Sequence, residues 1–200
     1  MQFRIVFALP ALALVLVLAG CLPGYTMVTP GEKHVAGKVL VVKPGIEWNK
    51  LPHSPTQTEW DETWTRNGPL LDAVGFVGGL PDGESLLKQK KKVDQRVPVF
   101  HADMSPQDLV SMMEASYRVR GISVFEIESV DPADFLGGKG VKVQFKYAPN
   151  DGMSKKGVCV ARIVDSKLYA IKLEGVSSHY FDASVPEFNQ LVESARLESK

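Results

Sequence analysis

The chain has 200 residues, with 23 basic and 23 acidic side chains balancing to no net charge. No global field is available to recruit nucleic acid or anionic lipid, so a partner held by bulk electrostatics is excluded. The length suits one domain of ordinary size, able to bury a core without disulfide staples.

The first twenty residues stand apart. Arg4 is their only charge, and an apolar run from Ile5 to Leu18 is interrupted only by Pro10. The run is short for a spanning helix and closes on small residues, as a secretion signal does. Leu18-Ala19-Gly20-Cys21 resembles the lipobox of bacterial lipoproteins. That resemblance implies a signal peptide over 1–20 that is cut before Cys21. It also implies a Cys21 thiol carrying diacylglycerol and an amine that is usually acylated too. One acyl chain gives only reversible binding, at about 0.8 kcal/mol per buried methylene. Two or three hold a protein essentially permanently. Leu22, not Asp, follows the cysteine. By the sorting rule of enteric lipoproteins this favours the outer membrane, facing the periplasm. Removing 20 of 200 residues leaves 180, with 22 basic and 23 acidic side chains.

Residues 21–37 are rich in Gly, Pro and Thr without periodicity and read as a tether. A single domain over 38–200 follows. Lys38 to Val42 predicts a first strand, and Pro52 to Thr58 a loop. Thr58 to Arg66 predicts a strand with Trp60, Glu62 and Trp64 on one side. Asn67-Gly68-Pro69 turns it into a second strand, Leu70 to Val77. Gly78-Gly79 leads to another turn at Pro81-Asp82-Gly83. Lys88, Lys90, Lys91 and Lys92 mark a mobile loop or frayed edge.

Ser105 fits a helix cap, Pro106 the first helical position, and Asp108 the favourable end of the dipole. Leu109, Val110, Met113 and Tyr117 form a stripe at helical spacing, and Gly121 ends it. Ile122 to Val130 predicts a strand. Val141, Val143, Phe145 and Tyr147 then alternate with Lys142, Gln144 and Lys146, which predicts a sheet wet on one side. Gly157 to Val164 and Leu168 to Leu173 form a hairpin about Asp165-Ser166-Lys167. Ser184-Val185-Pro186-Glu187 has the spacing of a capping box and begins the last helix, with Phe188, Leu191, Val192 and Ala195 on one face.

The late strands are too closely spaced for crossover helices, so the predicted fold is α+β, an antiparallel sheet flanked by helices. Tyr169 to Lys172, Tyr180-Phe181-Asp182, Phe188 and Ser194-Ala195-Arg196-Leu197 resemble the C-terminal end of PsbP-type domains. The likeness covers about a quarter of the chain. It implies a sheet sandwiched by helices and a binding or assembly role. Trp64 to Leu70, with Phe76-Val77-Gly78-Gly79, also resembles a feature of uncharacterised bacterial envelope lipoproteins. Nothing catalytic carries over from either.

No residue pattern specifies catalysis, a metal or a cofactor. His101 and Asp103 lie two apart, and His179 lies three before Asp182, but neither spacing is diagnostic of a metal site. A serine-hydrolase elbow is absent. Asp131 with Asp134, and Glu126 with Glu128, read as solvated carboxylates rather than an acid–base pair. Gly78 to Gly83 lacks the Lys-Ser/Thr of a phosphate loop. Cys159, without a partner if Cys21 is acylated, reads as a small buried hydrophobe. Trp60 and Trp64 suit core packing first, and partner binding if they share a groove.

The expectation is therefore a membrane-anchored envelope lipoprotein whose domain binds a partner or supports an assembly without catalysis. Its contacts would be the membrane through acyl chains, and an envelope protein or small ligand. A hydrolase on an envelope polymer needs a deep polar cleft collecting His101, Asp103 and a carboxylate. A binding module fits a shallow apolar groove at Trp60 and Trp64. A small-ligand or lipid carrier needs an enclosed apolar cavity between sheet and helix.

Overall fold

A computed structural model describes residues 24–89, 96–149 and 152–198. The predicted acylation site at Cys21 and the lysines Lys90, Lys91 and Lys92 lie outside the described residues. The predicted α+β class holds: the described residues form eleven strands and two helices, and every strand pair among them is antiparallel.

Eight strands form the main sheet. They are β1 (Thr26–Val28), β4 (Trp48–Lys50), β5 (Asp61–Thr65), β6 (Asp72–Pro81), β7 (Val124–Phe135), β8 (Gly138–Ala148), β9 (Lys155–Val164) and β10 (Lys167–Val176). Their spatial order is β1-β4-β5-β6-β10-β9-β8-β7. A smaller sheet holds β2 (Lys33–Val35), β3 (Leu40–Val42) and β11 (Arg196–Leu197) in the order β11-β3-β2. Helix α1 spans Pro106–Val119 and α2 spans Tyr180–Ser194.

Side-chain alternation along the strands makes two cores. Trp64, Phe76, Val158, Val160, Ile171 and Leu173 pack with Phe181, Phe188 and Leu191 of α2 and with Val35, Leu40 and Val42 of the small sheet. On the opposite face, Val141, Val143, Phe145, Cys159, Ala161 and Ala170 pack with Leu109, Met112 and Tyr117 of α1. The main sheet is thus covered on both sides at β9 and β10. At β8 it is wet on one side, because Val141, Val143, Phe145 and Tyr147 are buried while Lys142, Gln144 and Lys146 are not.

Four expectations are corrected. The tether stops short of residue 37, because Thr26–Val28 and Lys33–Val35 are strands, with Val28, Val35 and Ala36 buried. Three-residue strands carry no periodic signal, and only their tertiary partners define them. Strand β6 runs past Val77 to Pro81 and so contains Gly78 and Gly79. Gly79, at φ +79°, is the extra residue of a bulge opposite Leu168 and Tyr169. Strand β7 runs past Val130 to Phe135 and contains Pro132, which is tolerated because β7 is the sheet's edge.

The fourth correction concerns α2. It begins at Tyr180, one turn before Ser184, with no side-chain cap, and Pro186 lies within it. Ser184 is buried rather than capping. Phe181 packs so closely on β10 that a Cβ at Gly175 would lie 2.8 Å from its Cα. Pro186 cannot donate the backbone hydrogen bond of its turn.

Candidate functional site

The first helix roofs a cavity of about 130 Å³ against the main sheet. Its position follows from the cap. Ser105 Oγ accepts from the Asp108 N–H at 3.3 Å, and Asp108 Oδ2 accepts from the Ser105 N–H at 2.9 Å, a full capping box ahead of Pro106. The buried stripe is Leu109, Met112, Ser116 and Tyr117, so Met112 and Ser116 take inner places expected for Val110 and Met113. At the far end Tyr117 packs against Phe125, Phe145 and Tyr147, with ring centroids 4.6 to 5.4 Å apart. Both ends of α1 are therefore fixed.

The floor is hollow because small side chains face α1. One cross-strand row reads Thr63, Gly75, Lys172, Cys159 and Val143. The next reads Asp61, Val77, Ala170, Ala161 and Val141. A Cβ at Gly75 would meet nothing closer than Lys172 Cε at 3.8 Å. Gly75, Ala161 and Ala170 leave space that larger residues would fill.

The lining is mostly apolar but includes four charged side chains. Lys172 Nζ lies 2.9 Å from Glu174 Oε2 and donates to Tyr117 Oη at 2.9 Å. Tyr117 in turn donates to Glu174 Oε1. Burial pushes the Glu174 carboxyl up, but Lys172, the Tyr117 hydrogen bond and Arg120 outweigh it and bring its pKa down to about 2. Asp61 accepts from Gln57 Nε2 at 3.2 Å, and burial holds its carboxyl above the usual range. Arg120 follows the last turn of α1, its guanidinium carbon 5.8 Å from the Tyr117 ring centroid.

The residues singled out by sequence fall elsewhere, with one exception. Cys159 lines the cavity wall as a buried thiol, and burial pushes its pKa up to about 11, so it stays protonated at neutral pH. Trp60 and Trp64 do not share a groove. Trp64 is 1% exposed in the α2-side core, its indole N–H donating to Glu62 Oε1 at 2.8 Å. Trp60 precedes β5 and packs half-buried on the α1-side core. The strand begins at Asp61, so its alternation does not extend back to Trp60.

His101 and Asp103 are exposed beside Asp108 in a shallow recess near the start of α1, and His101 Nδ1 lies 3.6 Å from Asp82. His179 and Asp182 are exposed at the start of α2. Among the described residues no three His, Cys, Asp or Glu side chains gather as a metal site. Glu126 and Glu128 both face Lys146, at 3.0 and 3.8 Å, and Asp134 pairs with Lys139 at 2.8 Å.

The charged group formed by Asp61, Lys172, Glu174 and Arg120 went unnoticed in the sequence. A signal was present. Lys172 and Glu174 fall on the same face as Leu168 and Ala170, in a run whose other face is wholly apolar.

This is the architecture of a PsbP-like α+β sandwich. Cyanobacterial PsbP (CyanoP) from Synechocystis superposes with a TM-score of 0.53 at 10% identity, covering 88% of this chain and 93% of that one. A protein from Bacteroides thetaiotaomicron superposes with a TM-score of 0.52 at 6% identity over 86% of this chain. The chain spans half the length of that Bacteroides protein. At such identities the likeness is one of fold. The sequence matches no family model and no curated protein.

Proposed function

We propose that this protein is an envelope lipoprotein, anchored by acyl chains on Cys21, whose PsbP-like domain binds a small ligand in the cavity beneath α1. The carrying observation is the hollow itself: about 130 Å³, walled by Leu109, Met112, Val141, Cys159 and Ala170, with Asp61, Lys172, Glu174 and Arg120 also in its lining. An engineered apolar cavity of about 150 Å³ holds benzene, so this hollow admits one ring or one branched aliphatic group. A reading as a hydrolase has less support, because His101 and Asp103 stand outside the cavity on an open surface.

Leu22 favours the outer membrane, with the domain in the periplasm. Five residue steps separate Cys21 from Thr26, the first residue of β1. They span at most about 18 Å, so an acylated Cys21 holds the sandwich close to the bilayer.

Two measurements test the two parts. Cys21→Ser moves the protein out of the membrane fraction, while the parent carries fatty-acid mass on its first mature residue. A variant that stays in the membrane, beside a parent with no acyl mass, removes the anchor. For the cavity, saturating toluene raises the melting temperature of the full chain, and Ala170→Leu, which fills the floor, abolishes that rise. Equal responses from parent and variant place toluene elsewhere and remove the binding site.

A further inference from the structure

The charges around the cavity do not all cancel one another. Lys172 and Glu174 are spent on each other and on Tyr117. Asp61 has a neutral partner, Gln57, and among the described residues no base within ion-pair distance. Arg120 has no acid within that distance among the described residues, although its charge acts on both Asp61 and Glu174. One acid on β5 and one base at the end of α1 thus lack a direct ion-pair partner. Both line the same hollow.

We infer that the cavity binds a free α-amino acid with an aliphatic or aromatic side chain. This rests on the reading of the hollow as the binding site and names its occupant. The ligand's side chain fills the hollow, its ammonium meets Asp61 and its carboxylate meets Arg120. A zwitterion is the small molecule that satisfies both charges while leaving the Lys172–Glu174 pair intact. An alkyl amine satisfies Asp61 alone. A fatty acid satisfies Arg120 alone, and its chain outgrows a hollow close to the size of one benzene ring. The held-up carboxyl of Asp61 agrees, since burial there outweighs the charges of Lys172 and Arg120, and an ammonium in direct contact would relieve it.

The test is calorimetric titration of the full chain in nanodiscs at neutral pH. Leucine and phenylalanine bind. Isopentylamine, which is leucine without its carboxylate, and isocaproate, which lacks the ammonium, each bind at least tenfold more weakly than leucine. Arg120→Gln, at an exposed position, keeps the parent's circular dichroism spectrum, with a melting temperature somewhat below the parent's. It weakens leucine at least tenfold and leaves isopentylamine unchanged, whereas Asp61→Asn weakens both. The ligand series needs no variant, so a misfolded Asp61→Asn protein would not blunt it. Leucine binding no better than its two half-analogues overturns the inference, as does an Arg120→Gln protein with full leucine affinity. Toluene binding without amino-acid binding overturns the occupant and leaves the site. Binding of neither overturns both.

Discussion

Gly78→Ala destabilises the full chain by about 3 kcal/mol, the upper end of what overpacking ordinarily costs. A Cβ at Gly78 would lie 1.8 Å from the carbonyl oxygen of Ala36, a backbone atom that no rotamer change can move aside. Ala36 belongs to the corner between β2 and β3, where Ala36, Gly37 and Lys38 all have positive φ. That corner is seated on β6, with Ala36 buried and its N–H donating to Glu62 Oε2 at 3.2 Å. Relieving the clash means lifting the small sheet off the α2-side core. Gly75→Ala, three residues earlier in the same strand, is the control, because its Cβ meets only the tip of Lys172 at an ordinary contact distance. Urea unfolding of both variants checks this. Equal destabilisation at the two glycines would show that a general loss of strand fit, rather than the Ala36 contact, is responsible.

Glu174→Gln costs about 3 kcal/mol at neutral pH, and the cost disappears in acid. The Glu174 carboxyl falls from an ordinary 4.5 to about 2 in the folded protein. At about 1.36 kcal/mol per pH unit that difference is worth about 3 kcal/mol. A pKa lowered by folding means that the unfolded chain binds the extra proton. The stabilisation is therefore complete above pH 4.5 and is lost as pH falls through 4.5 toward 2. Below that the parent's own carboxyl is protonated and resembles the amide. Unfolding the two proteins in urea at several pH values gives a stability gap that closes over this window. A gap that stays constant from pH 7 to pH 2 would mean the Glu174 charge contributes nothing and the loss is one of packing.

Much of the sandwich was legible in the sequence because local chemistry and tertiary packing agree there. Alternation from Val141 to Tyr147 specified β8 and its wet face. The Asp165-Ser166 pair, both residues at positive φ, specified the β9–β10 hairpin. Ser105, Pro106 and Asp108 fixed the start of α1. Legibility failed where packing outweighed local signals. Ser184 to Glu187 spells a cap, yet Phe181 closing on Gly175 starts the helix a turn earlier. The segment before residue 38 looks like coil because strands of three residues gain their order from what lies across from them.

The candidate site was only half legible for the same reason. Alternation along β10 puts Lys172 and Glu174 on one face, but nothing local says that α1 will cover that face. Nor does it say that Tyr117, 55 residues from Lys172, will reach the pair. By itself the chain determined its α+β class, its main turns and the cap of α1, because each is written in neighbouring residues. Only the folded structure decided that Asp61 and Arg120 face one hollow. Their positions depend on a helix crossing strands brought from distant parts of the chain, and on Gly75, Ala161 and Ala170 leaving that crossing empty.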